Sequence, residues 1–214
     1  MKKLDDDEII AQCIIFFIAG FETTASTISH CLFELAQNPE VQERLNVEIH
    51  KALEGIEPNT DQYLDTVMHN ITYLDAVIKE TLRKYPPLPR VERRVSVTSC
   101  SLGGIALKKD QMVYVSVYGL HHNPEYFPCP EQFRPDRFMP ENKHLIVPYS
   151  YLPFGQGPRN CIGMRFALQE IKVCLAKIVP QFRFSTTNET PQKLDFIPVG
   201  LLSVIPFRLK VDKR

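Results

Sequence analysis

Eight of the chain's 17 prolines fall between Pro124 and Pro158. Each proline fixes φ and lacks a backbone donor, so no long helix or central strand can run through that stretch. It must be a coiled meander of turns, held by elements on either side. Its end is Phe154-Gly155-Gln156-Gly157-Pro158-Arg159-Asn160-Cys161-Ile162-Gly163, a Gly/Pro-rich loop running into one cysteine. An apolar-periodic helix follows at once. Ile162, Phe166, Leu168, Ile171, Leu175 and Ile178 make its apolar side to about Val179, and Pro180 ends it.

That layout suits a metal-binding thiolate. The thiolate is the ligand form of cysteine, and a helix N-terminus favours it. Gly155, Gly157 and Gly163 leave loop amides that can approach a bound group closely, because glycine has no Cβ. Arg159 offers a fork of donors to an anion. A planar cofactor with a central metal and acidic edges would use all of these. A lone cysteine at a helix start is more often a small buried hydrophobe, but here ten consecutive positions need one explanation.

The totals narrow the field. Lys+Arg and Asp+Glu are both 25, so there is no electrostatic case for nucleic acid. The hydrophobic share, 44%, is that of a globular protein, and 214 residues make one domain with a usable core. The cysteines at 13, 31, 100, 129, 161 and 174 show no Cys-x-x-Cys spacing. Neither a zinc cage nor a disulfide framework is indicated, and a reduced compartment fits. Two sequons, at Asn70 and Asn188, read as unused. No signal peptide is evident, and the apolar run 13–19 is shorter than the ~20 residues of a membrane span.

Residues 5–37 read as one helix roughly 50 Å long, with an acidic first turn and a stop at Asn38-Pro39. So apolar a helix around Phe16 to Ala19 belongs inside a larger body. Ala19-Gly20-Phe21-Glu22-Thr23-Thr24 interrupts it. A kink there would open a groove beside Ala19, and a plain turn with a solvated Glu22 is the alternative. Asn38 and Pro39 start a second helix with Val41, Leu45, Ile49 and Leu53 buried and Gly55 at its end. A short helical piece over Asp61 to Met68 follows, then a helix over 72–84. That helix carries Glu80 and Arg83 three apart on one face. Pro86-Pro87-Leu88-Pro89 cannot be helix. Val95 to Thr98, Ile105 to Leu107 and Met112 to Tyr118 read as short strands, His121 and His122 as turn residues, and the tail after Phe182 as hairpins.

Four of these stretches together resemble the cytochrome P-450 monooxygenases. The signature Phe-x-x-Gly-x-Arg-x-Cys-x-Gly is matched by Phe154, Gly157, Arg159, Cys161 and Gly163. Ala19-Gly20-Phe21-Glu22-Thr23 is similar to the family's oxygen-binding motif. Glu80-Thr81-Leu82-Arg83 resembles its Glu-x-x-Arg helix, and Pro135-Asp136-Arg137-Phe138 its Pro-x-Arg-Phe segment. The closest likeness is to the microsomal branch that oxidises steroids and drugs in vertebrates and detoxifies in insects.

The resemblance implies a mainly α fold with small β-sheets. It covers the C-terminal portion of the family's domain: long central helix, Glu-x-x-Arg helix, meander, Cys-ligand loop and following helix. Residues 1–214 then form a partial domain without the N-terminal half and membrane anchor. It implies haem b with Cys161 as the axial iron ligand, packed by Phe154 and approached by Gly155 and Gly163. Arg159 and Arg93 would take the propionates. Ala19 would share the helix face over the haem with Thr23, which steadies activated oxygen, while Glu22 helps relay protons. Glu80, Arg83 and Arg137 would form a buried structural triad. Ile18, Leu88, Pro89 and Leu201 would line the substrate cavity, the last within the turn Val199-Gly200-Leu201-Leu202. The implied activity inserts one atom of O2 into a lipophilic small molecule. Its electrons come from NADPH through a reductase, with cytochrome b5 as a further partner. The implied location is the cytosolic face of the endoplasmic reticulum membrane, reached only through the missing N-terminal part. A truncated, non-catalytic product that holds haem weakly or not at all is the second expectation. A helix bundle with a structural metal is a third.

Overall fold

A computed structural model describes residues 4–214, with backbone alone at 198, 199 and 203. Helix α1, Asp6–Gln37, runs unbroken. Asp5 and Glu8 close a reciprocal capping box at its start, Glu8 N–H donating to Asp5 Oδ1 at 2.8 Å. No interruption appears at Gly20. The Thr23 hydroxyl turns back onto the Ala19 carbonyl at 2.7 Å, so the threonine is absorbed into the helix rather than breaking it.

Helices α2 (Pro39–Leu53), α3 (Asp61–His69), α4 (Thr72–Lys84) and α6 (Met164–Ile178) pack with the second half of α1 into the main core. Cys31, Leu35, Leu45, Ile49, Leu74, Val77 and Leu175 are sealed there. Burying side chains of this size contributes about 1.5–3 kcal/mol each. The expected caps differ in detail. Asn38 makes no side-chain cap for α2, because its Nδ2 donates to the Glu34 carbonyl at 2.8 Å instead.

The strands form four separate antiparallel pairs. β1 (Arg90–Arg94) pairs β4 (Met112–Ser116), and β2 (Ser99–Leu102) pairs β3 (Ile105–Lys108). β5 (Phe182–Ser185) pairs β8 (Lys210–Lys213), and β6 (Phe196–Val199) pairs β7 (Leu201–Val204). The strand expected over 95–98 is instead the link between β1 and β2, with Val95 bonded to Gln111 and Asp110. The strand expected to reach Tyr118 stops at Ser116, whose hydroxyl caps a helical turn, α5 (Val117–His121). The proline-rich meander contains only two 3-10 turns, Pro135–Phe138 and Pro140–Leu145. Phe127, Phe133 and Phe138 anchor it to the main core.

Burial is uneven along two helices, and the apolar side expected for the helix after Cys161 is corrected in its first turns. The first half of α1 is open: Ile15, Phe16, Phe17 and Ile18 are each more than half exposed. By length and composition α1 is long and apolar enough to cross a membrane, which the short run 13–19 had not suggested. Its second half nevertheless lies in the protein core. Likewise the entry to α6 is open: Ile162, expected on the helix, precedes its start at Met164 and is 87% exposed, Phe166 is 67% exposed, and buried residues begin at Ile171.

His30 and His121 are both fully buried, and burial pushes each down from 6.5 to about 4. The folded state therefore favours neutral rings. Their contribution is complete above pH 6.5 and is lost as pH falls toward 4, about 3 kcal/mol for each ring. Urea midpoints should fall between pH 7 and pH 4.5, and His121→Asn should flatten that slope.

Candidate functional site

The densest polar cluster is built on the Glu80 carboxylate, which has no solvent exposure. Arg83 grips it with two bonds, Nε to Oε2 at 2.8 Å and Nη2 to Oε1 at 2.9 Å. Arg137 Nε reaches Oε1 at 3.3 Å, and the Arg134 backbone N–H reaches the same oxygen at 2.9 Å. Arg83 goes on to the carbonyls of His121 and Pro130, and Arg137 to that of Cys129. Burial lowers the Arg137 guanidinium's pKa, partly offset by Glu80. Helix α4 thus holds both ends of one meander segment through a single ionic centre.

His121 extends that centre to the cysteine loop. Its Nδ1–H donates to the Arg83 carbonyl at 3.0 Å, and its Nε2 accepts from Leu152 N–H at 2.8 Å. The Leu152 donor fixes the neutral tautomer with a bare Nε2. His121 is a buried strut, not a solvated turn residue, and the Asn-Pro after it hid that role in the sequence.

From Leu152 the loop folds on itself. Gly155 N–H donates to Leu152, Asn160 N–H to Gly157, and Cys161 N–H to the Phe154 carbonyl at 2.9 Å. Gly155 (φ +69°) and Gly157 (φ +84°) lie in the left-handed region that favours glycine. Gly163 does not, and a Cβ built there would meet nothing within 4 Å. Cys161 is exposed, directly before α6. Beside it, Arg93 from β1 donates to the Arg159 carbonyl at 3.4 Å. The Arg159 guanidinium has no protein partner among the described residues.

Opposite elements supply the rest. Helix α1 packs on α6, with Ala19 and Thr23 four apart along it and Ile18 60% exposed. Glu22 is exposed and lines a cavity of about 520 Å³ with Ser26, Ser29 and His30. Leu88 is 47% exposed, and Pro89 and Leu201 are half-buried. The Leu202 N–H donates to the Pro87 carbonyl at 2.9 Å, joining these two segments. The side chain of Val199, expected in the same turn, lies outside the described residues.

The structure therefore brings Glu80, Arg83 and Arg137 into one cluster and Arg93 against the Cys161 loop. Among the described residues no three of His, Cys, Asp or Glu gather as a metal cage. A metal at Cys161 would bring most of its ligands with it. An exposed thiol, the Arg93 guanidinium against the loop, an exposed Arg159, open space at Gly163 and bare Ile162 and Phe166 fit a flat apolar group with acidic edges and a central metal.

Comparison with known proteins bears on that fit. The family model described as Cytochrome P-450 matches residues 1–211. The chain is 48% identical to cytochrome P-450 3A11 of Mus musculus over 214 residues, all of this chain and 42% of that protein. It is 49% identical to cytochrome P-450 3A2 of Rattus norvegicus over 195 residues, 90% of this chain and 38% of that one. Against cytochrome P-450 3A1 of Rattus norvegicus the identity is 47% over 212 residues, 99% of this chain and 41% of that one. The chain thus spans about two fifths of the length of the curated relatives it matches.

Breaking the ionic centre should be costly, because the remaining charge stays buried. Arg83→Leu is expected to lose about 3–5 kcal/mol in urea unfolding. Asp136→Asn, which removes the exposed pair with Arg44 at 2.8 Å, should lose at most about 1 kcal/mol.

Proposed function

The chain belongs to the cytochrome P-450 family, and on that premise we propose that it supplies the haem-ligating part of a monooxygenase. The reaction inserts one atom of O2 into a lipophilic small molecule, with electrons from NADPH through a reductase and with cytochrome b5 as a second partner. The reading is carried by Cys161, exposed at the start of α6 beneath open apolar surface and beside Arg93 and Arg159. Bound haem b would supply the oxidising iron, and thiolate ligation would raise its electron density.

Each other role belongs to this chain's own side chains. Cys161 Sγ is the ligand, with Phe154 packed beside it and Gly155 and Gly163 keeping the approach clear. Arg159 and Arg93 would pair with the two propionates, which suits an Arg159 guanidinium that has no protein partner among the described residues. Ile18, Leu88, Pro89 and Leu201 give an apolar cavity that excludes water from the reacting centre. Ala19 leaves room on the helix face. Thr23 donates its hydroxyl proton to the Ala19 carbonyl and so keeps its lone pairs free to accept. Glu22 is exposed one residue before Thr23 on α1, so its carboxylate suits a proton path from solvent; the cavity that it lines with Ser26 and Ser29 is a separate one, against Phe184, Val204 and Phe207. Glu80, Arg83 and Arg137 hold the frame. The location would be the endoplasmic reticulum membrane, on its cytosolic face, as an expectation for this branch.

A second reading, a chain that holds haem weakly or not at all and does no chemistry, is favoured by one observation. The first half of α1 exposes Ile9, Ile10, Ile14, Ile15, Phe16 and Phe17. Open apolar surface of this extent invites association and admits water to the site.

Reduction of the haem-loaded chain under carbon monoxide separates the two. A red-shifted thiolate band supports ligation at Cys161, and Cys161→Ser should abolish it; no band supports the second reading. With a reductase supplied, Thr23→Ala should cut product formed per NADPH by about tenfold or more, while Thr23→Ser retains most of it. An unchanged yield would remove Thr23 from the proton path.

A further inference from the structure

A second, smaller core lies away from the cysteine loop. Phe33, Tyr85 and Leu194 are buried together, with Phe196, Leu202, Val204 and Phe207 packed against them. Tyr85 is its hub. The ring sits 4.9 Å from the His30 ring and 6.0 Å from the Phe196 ring, centroid to centroid. Its hydroxyl donates to Glu34 Oε1 in a short bond. Burial raises the Tyr85 pKa well above the usual phenol range, so the hydroxyl stays a donor. Glu34 is itself 3% exposed and is held by Lys84 Nζ at 2.7 Å and Asn38 Nδ2 at 3.3 Å.

The placement of Tyr85 in the chain gives this hub its consequence. It is the last residue before Pro86-Pro87-Leu88-Pro89, the segment that carries Leu88 and Pro89. Its ring supports Phe196 on β6, whose hairpin partner β7 carries Leu201. The two segments are joined by the bond from Leu202 N–H to the Pro87 carbonyl. Glu34 on α1 therefore holds the tip of one ring in place, and that ring packs where the two segments meet. A phenylalanine would fill the same space without the anchor.

We propose that Tyr85, through its bond to Glu34, is a positioning residue that sets the joint placement of the 87–89 and 201–202 segments. It thereby sets which bulky ligands the cavity accepts. The effect on ligand choice rests on the haem-site reading above; the mechanical coupling does not. The two parts are therefore tested separately.

The coupling is read by hydrogen exchange on the whole chain. Tyr85→Phe should speed exchange of the Leu202 amide by about tenfold, with amides in the middle of α2 unchanged. Glu34→Gln, which keeps an acceptor for the hydroxyl, should retain near-native protection, whereas Glu34→Leu should behave as Tyr85→Phe. An unchanged Leu202 rate in both Tyr85→Phe and Glu34→Leu overturns the proposal, whatever the chain does with haem. The effect on ligands is read by the ratio of affinities of the haem-loaded chain for 4-phenylimidazole and imidazole. Tyr85→Phe should change that ratio about threefold or more while leaving imidazole alone unchanged. An unchanged ratio overturns the selectivity role. Wild-type chain that gives no thiolate band, yet shows the exchange effect, defeats the haem-site reading and leaves the coupling standing.

Discussion

A carboxylate with no access to water has to be satisfied by the protein, and Glu80 is satisfied four times over. An unpaired charge in that place would cost several kcal/mol. The requirement draws Arg83, Arg137 and the Arg134 amide to one point. Those groups then serve carbonyls of the meander, which has few regular hydrogen bonds of its own. Through His121 the same centre reaches Leu152 and so the start of the loop that presents Cys161. A stretch that prolines bar from helix and sheet gains a fixed shape by hanging from one ion.

The resulting body has two unlike sides. One is a dry core in which α1, α2, α3, α4 and α6 meet, and its members are close to fully buried. The other carries Cys161, Ile162, Phe166, Arg159 and the first half of α1, all exposed. Helix α1 belongs to both: its burial begins at Thr24, just past the residues matched to the oxygen motif. Bare apolar surface is costly to leave in water, and the Arg159 guanidinium beside it has no protein partner among the described residues. A large flat ligand with acidic edges would cover the one and pair with the other, which is why the exposed side is read as the functional one.

Local and distant order are linked on the far side of α1 as well. The Glu34–Tyr85 bond ties the end of α4 to the last turn of α1, and the bond between Leu202 and Pro87 ties the β6–β7 hairpin to the turn after α4. Segments that lie more than a hundred residues apart in the chain, 87–89 and 201–202, are therefore joined beside one small cluster. Ring packing fixes shape here, and the polar anchor fixes the ring.

The helices, the meander and the cysteine loop were legible in the sequence because each depends on local rules. Asp5 with Glu8, Pro39, Gly55 and Pro180 mark helix ends by capping and by missing donors. Gly155 and Gly157 mark a turn that other residues enter only with strain. The strand at 90–94 was legible only as a solvated stretch bearing three arginines, because Arg-Val-Glu-Arg-Arg offers one half-buried residue and no alternation of hydrophobicity. The buried state of His121 and Tyr85 and the openness of Ile162 and Phe166 were decided by tertiary structure alone. Periodicity reports that a face is apolar but not what covers it, and a polar side chain's partner can lie dozens of residues away. Spacing along the chain settled which elements form; only packing settled which charges are paired and which surfaces stay bare.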